Sequence, residues 1–239
     1  MSGHSKWATI KRKKGMIDAE RSKIFQKLNK EIYVAAKAGD KNPDNNPGLR
    51  MVIDKAKAEN MPKDRIQAAI DKAHASGASE NYEAVRYEGY GPYGVAIMID
   101  TLTDNRNRTA GDVRSTLTKR GGNLGTDGSV SYLFERKGVI LLPKTYNEDE
   151  VMMLALDNDA LDFISEDDSY VIYTAPENFI KMNNALKEAG ITDLIMNEVR
   201  YIPMNTVSLD EEKQEKIYNL IDLLDDLDDV QSVYHNMEE

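Results

Sequence analysis

Hydrophobic positions along this chain repeat with two periods, and the change between them falls near residue 82. Before that point the spacing is helical. In RSKIFQKLNKEIYVAAKAGD (21–40), Ile24, Phe25, Leu28, Ile32, Ala35 and Ala36 fall on one stripe of a helical wheel. Lys23, Lys27, Lys30 and Lys37 gather on the opposite side, and Gly39 is a natural stop. Asn46-Pro47, a cap followed by a first-turn proline, predicts a second helix carrying Leu49, Val52, Ile53 and Ala56. Pro62 opens a third, with Ile66, Ala69, Ile70 and Ala73, ending near Gly77. Three short helices can share one small core. HASGASEN (74–81) reads as a linker.

From Tyr82 the period shortens. RYEGYG predicts a turn, and Val95–Ile99 a strand of the buried type. NRTAGDVRSTLTKR places Ala110, Val113 and Leu117 at helical spacing and is closed by Gly121-Gly122. Val130, Tyr132 and Phe134 alternate as a strand. Residues 139–202 then read strand, helix, strand, strand, helix, strand, the βαββαβ order of a ferredoxin-like unit. The tail adds a helix through Ile217, Leu220, Ile221, Leu224 and Leu227 and a strand around Val230–Tyr234. That tail can complete the ββαβ of 82–136 and leave the middle as an insertion. The expected fold class is therefore α+β and multi-domain. A helical basic domain spans 1–77, and a discontinuous α/β domain spans 82–137 plus 204–239. A ferredoxin-like α/β domain, 138–203, is inserted in it.

Charge sharpens this division. The formal net charge is -10. Residues 1–75 carry 17 basic and 9 acidic side chains, residues 76–139 carry 8 of each, and residues 140–239 carry 6 basic and 24 acidic. Within 1–37 ten Lys or Arg stand against Asp18, Glu20 and Glu31. One end is thereby suited to a polyanion, and the acidic end would be repelled by it. The plainer reading of the acidic end is solubility. With no cysteine, the chain has no disulfide, thiolate nucleophile or cysteine-based zinc site. His4, His74 and His235 lie far apart in sequence. No stretch approaches the roughly 18 apolar residues of a membrane span. The basic N-terminus lacks the apolar region of a secretory signal, so the expected location is the cytoplasm.

Two groups of cations are candidate phosphate contacts. The first is Lys6, Lys11, Arg12, Lys13, Lys14, Arg21, Lys23, Lys27 and Lys30, with Trp7, the only tryptophan, placed to stack on a base or anchor the segment. Set against this is a solvated helix face with Trp7 in a core. The second is Arg106 and Arg108 in TDNRNRT (103–109). If a helix begins near Asn105, its macrodipole disfavours cations in the first turn unless an anion docks there. The competing reading faces both arginines to solvent or pairs them with Glu88 or Asp104. YEGYGPYG (87–94) and GGNLGTDGS (121–129) match no phosphate fingerprint and read as turn chemistry, although the first could present Tyr87, Tyr90 and Tyr93 on a surface loop. The acidic runs EDD (166–168) and DDLDD (225–229) read as a solvated hairpin turn and a solvated helix face. His4 beside Ser5 is half of a nucleophile–base pair, but no GxSxG elbow, paired histidine or cofactor motif accompanies it. No catalytic residue, metal, cofactor or small-molecule substrate is expected.

GHSKWATIKRKKGMIDAERSKIF, YEGYGPYGVAIMIDTLTDNRNRTAGDVR and GGNLGTDGSVSYLF closely resemble the YebC/PmpR family, which includes a mitochondrial translational activator of cytochrome oxidase. The resemblance runs along essentially the whole chain and varies within the motifs only at positions such as Ala8, Thr9 and Tyr93. It implies an N-terminal helical domain and two α/β domains, one inserted in the other, with no enzymatic activity. It also implies a probable transcriptional regulator that binds DNA. Other members act at the ribosome and help translation of difficult sequences such as proline runs, so ribosomal or transfer RNA is the alternative partner. The oligomeric state does not follow from these motifs.

Overall fold

The computed structural model describes residues 18–77 and 80–238. Three helices come first: α1 (Asp18–Lys37), α2 (Pro47–Ala58) and α3 (Lys63–His74). A hairpin of β1 (Glu83–Tyr90) and β2 (Ala96–Thr103) follows, then α4 (Arg106–Lys119) and the short β3 (Asn123–Leu124). Next come β4 (Phe134–Pro143), α5 (Glu148–Asp157), β5 (Ala160–Ser165), β6 (Ser169–Thr174), α6 (Phe179–Glu188) and β7 (Met196–Pro203). The chain closes with α7 (Glu211–Asp225) and β8 (Val230–His235).

The described chain forms two compact units, one of residues 132–206 and the other of the residues on either side, through 131 and from 207. In the larger unit the helix signals act as their chemistry requires. The Asn46 carboxamide oxygen accepts from the Leu49 N–H at 3.0 Å and so caps α2, while its amide group donates to the carbonyls of Ala35 and Asp40. Leu28, Ile32, Leu49, Ile53, Ile66 and Ile70 of the three helices bury one another in a common cluster. A four-stranded sheet of order β3-β1-β2-β8 follows, with β1 and β2 paired antiparallel from Glu83↔Thr103 to Tyr90↔Ala96. The tail strand β8 lies along β2, so segments far apart in sequence share one sheet. Val113 and Leu117 of α4 and Ile217, Leu220, Ile221 and Leu224 of α7 bury Val85, Ile97 and Ile99 of that sheet. The helical cluster and this sheet cluster have no buried residue in common.

The smaller unit has the βαββαβ order read from the sequence, with an antiparallel sheet of order β5-β6-β4-β7. Val151 and Ala155 of α5 and Phe179, Met182 and Leu186 of α6 cover Ile140, Leu142 and Ile172.

Three local readings are corrected. YEGY is the end of strand β1, and the turn comes later, with Gly91 leading into Pro92–Gly94. The glycine that Tyr87, Glu88 and Tyr90 flank carries a ladder position, because β3 pairs there. Ser131–Leu133 is a single 3-10 turn, so the strand expected from Val130 begins only at Phe134. β4 then runs unbroken to Pro143, across the step from 137 to 138.

Candidate nucleic-acid interface

Lys6, Trp7 and Lys11 to Lys14, the forward part of the predicted phosphate-binding set, lie outside the described residues, as do His4 and Ser5. Arg21, Lys23, Lys27 and Lys30 are on α1. Steps of four and three residues bring the last three onto one side of the helix. The end of α7 and the turn after it meet that side. Lys23 Nζ is 2.6 Å from an Asp226 carboxylate oxygen, Lys27 Nζ is 3.6 Å from Asp225, and Lys30 Nζ is 2.8 Å from Asp229. Lys30 also donates to the Asp228 carbonyl at 2.7 Å and stands 5.6 Å from the Tyr82 ring centroid. The run DDLDD is therefore only partly a solvated face: the Asp229 and Asp225 side chains are 8% and 15% exposed, while Asp226 and Asp228 face solvent. The burial of Asp229 and Asp225 follows from the lysines they meet, for Asp229 a partner 199 positions away that a helical wheel of α7 alone does not contain.

Asp229 collects donors from three elements. Besides Lys30 it accepts from Arg108 Nη2 at 2.6 Å, from the Thr109 hydroxyl at 2.7 Å and from the Thr103 hydroxyl at 3.2 Å. Its backbone carbonyl accepts from the Leu102 N–H at 2.9 Å. Burial alone would raise its pKa. The hydrogen bonds from Arg108, Lys30 and Thr109 outweigh that and hold it at about 2.

At the site expected from Arg106 and Arg108, carboxylates of the chain itself meet Arg108. Arg108 grips Asp104 at 2.8 Å as well as Asp229, so its anions come from its own chain, and its pKa is raised by those hydrogen bonds. The Asn105 side chain accepts from the Arg108 N–H at 3.1 Å, occupying one of the N-terminal donors of α4. Arg106 is exposed, and its carbonyl accepts from the Tyr87 hydroxyl at 3.0 Å. Asp104 was one of the expected alternatives; Asp229 carried no local signal.

Glu88 was missed as a structural centre. Its carboxylate is buried and accepts the N–H groups of Gly128, Val130 and Ser131 at 3.0, 2.8 and 2.8 Å. Burial acts to raise its pKa, and these backbone donors bring it below the usual value. The two glycine-rich runs thus form one structure. The Gly125 N–H donates to the Glu88 carbonyl, the Tyr90 hydroxyl donates to Ser129, and a Cβ on Gly89 would strike the Asn123 carbonyl. Tyr87 is buried, whereas Tyr93 is 43% exposed at the turn, with φ at 64°. EDD does form the turn between β5 and β6.

Among the described residues no group of three or more His, Cys, Asp or Glu is placed to hold a metal ion. No described helix is long and apolar enough to cross a membrane. Residues 5–76 match the family model for the TACO1/YebC protein N-terminal domain, and residues 82–237 match the model for the TACO1/YebC second and third domain. The chain belongs to the TACO1/YebC family. A TACO1/YebC relative from Clostridium beijerinckii, named a probable transcriptional regulatory protein, is 53% identical, with 100% of this chain and 97% of the relative covered. One from Geobacillus kaustophilus, with the same description, is 50% identical over 100% of this chain and 98% of its own length. A crystal structure of a conserved hypothetical protein from Aquifex aeolicus has a TM-score of 0.86 at 44% identity, covering 98% of this chain and 97% of the other. The TACO1/YebC resemblance read from the motifs and the α+β multi-domain fold are both borne out by these matches.

Proposed function

We propose that this protein is a non-enzymatic, cytoplasmic regulator of gene expression that binds nucleic acid, acting in transcription on DNA. The observation that carries the reading is the charge of residues 1–37, ten basic side chains against three acidic in a chain of net charge -10. Clustered Lys and Arg are the electrostatic footprint of phosphate binding, because each neutralised phosphate releases condensed counterions. The names of the relatives, probable transcriptional regulatory proteins, support the same role. Lys6, Lys11, Arg12, Lys13 and Lys14 are the primary contacts in this reading, with Trp7 stacking or anchoring.

The test is the salt dependence of binding. With about six phosphates neutralised, log K falls against log salt with a slope near -5 on duplex DNA. Replacing Lys11, Arg12, Lys13 and Lys14 with Gln flattens that slope; an unchanged slope refutes the assignment. DNA and RNA present the same phosphate charge. Crosslinking in living cells followed by sequencing of the attached nucleic acid separates them: promoter fragments support transcription, and ribosomal or transfer RNA supports a translation role.

A further inference from the structure

We propose that the acidic turn after α7 is a built-in competitor for nucleic acid. Asp225 and Asp226 cover Lys27 and Lys23, and a phosphate backbone must displace them to reach those lysines. The inference rests on the nucleic-acid-binding reading above and says how two of the lysines in its candidate set are covered.

Three observations support it. First, the acids are misplaced for their own helix. The C-terminal end of a helix carries partial negative charge and favours cations, yet α7 has no basic residue in its last turn and ends Asp225-Asp226. Those carboxylates gain from the lysines of α1 what their own helix withholds. Second, the contact between α1 and this turn is ionic. Among the described residues the apolar cluster of the helices and that of the sheet share no buried residue, so no hydrophobic core common to those residues holds the lysine row against the acids. Third, the pairs are graded. Lys30 and Asp229 are 18% and 8% exposed and sit inside a network with Arg108, Thr109 and Thr103. Lys27 and Asp225 are nearly as sheltered, 19% and 15% exposed, but stand 3.6 Å apart outside that network, and Lys23 and Asp226 are 47% and 59% exposed. Buried pairs resist screening and exposed ones yield to salt and to competing anions. Lys30–Asp229 is therefore the fixed point, Lys23–Asp226 is the pair that exchanges first, and Lys27–Asp225, sheltered but longer, follows it.

The experiment measures fluorescence anisotropy of a labelled 20-base-pair DNA duplex and a labelled RNA hairpin against the full chain at several salt concentrations. Asp225→Asn with Asp226→Asn is compared with Glu211→Gln with Glu215→Gln, which removes the same two negative charges from exposed positions at the other end of α7. We expect the aspartate variant to bind roughly fivefold more tightly than the native chain, as loss of two such ion pairs allows. Its log–log salt slope should be steeper by about one to two, as expected for two released lysines. The glutamate variant should stay within about twofold. Asp226→Asn alone, at the most exposed of these acids, should show about half of the logarithmic gain and guards against a folding defect in the double variant. Equal affinities for the aspartate and glutamate variants overturn the inference while leaving the functional reading standing. Failure of every form, native included, to bind either probe at low salt overturns both.

Discussion

Lys30 and Asp229 stand 199 positions apart in the chain and 2.8 Å apart in space. This pair joins the first described helix to the turn that leads into the last strand, and Arg108 and Thr109 complete the same carboxylate from α4. One side chain thus ties together an N-terminal helix, a central helix and the tail.

Removing that carboxylate should be expensive. Asp229→Ala leaves Lys30, Arg108 and two threonine hydroxyls without their shared acceptor, and breaking a buried pair from one side costs on the order of 3–5 kcal/mol. Arg108 is 47% exposed and can rehydrate, so a loss of about 2–4 kcal/mol is expected. Urea denaturation followed by circular dichroism measures it. A midpoint within error of the native one would show that the network contributes nothing net.

The same carboxylate makes an acid-labile contribution. Its pKa is about 2 when folded, against about 3.9 in an unfolded chain, so the folded state favours the ionised form. The contribution reaches roughly 2–3 kcal/mol above about pH 5 and is lost progressively as pH falls from there through the folded pKa toward about 1. Glu88, also lowered, acts in the same direction. Stability of Asp229→Asn plotted against pH should be flatter than native in that window, and parallel curves would contradict the assignment.

Glu88→Gln tests the loop anchor. A carboxamide has one acceptor oxygen and an N–H2 group where Glu88 presents two acceptors to three backbone donors. The Gly128 N–H is the donor left facing the amide group, at a cost of about 1–3 kcal/mol. Amide hydrogen exchange should speed up over 128–131 more than over β2; uniform exchange across both would argue that the loop is held by something else.

Two glycines should respond to alanine with opposite signs. At Gly89 the new methyl meets backbone of β3, an obstacle that cannot rotate away, and a loss of about 1–3 kcal/mol is expected. At Gly111, within α4, nothing lies within 4 Å of the position, and alanine should stabilise by up to about 1 kcal/mol. Thermal unfolding of the two variants side by side reads the difference.

Much of this architecture was legible in local pattern. The stripe Phe25, Leu28, Ile32, Ala36 is buried, Asn46 caps α2, and the βαββαβ order and the tail's αβ are where periodicity placed them. YEGYG misled because its glycines look like turn signals. They serve close packing instead, where β3 passes Gly89 and the side chains of Ile97 and Leu220 crowd Gly91. Arg108 shows what lies outside local pattern. A cation at a helix N-terminus asks for an anion, and the chain itself supplied one from far downstream.

What the sequence determined by itself is what depends on neighbours within a few residues: helical and strand periods, caps, the segregation of charge between the two ends, and the motifs that mark the TACO1/YebC family. Which charges meet was decided only by the tertiary structure. The reason is physical: periodicity is set by backbone geometry one turn or one pleat at a time, whereas an ion pair depends on distance in space. Only folding carries Asp225, Asp226 and Asp229 to the lysines of α1.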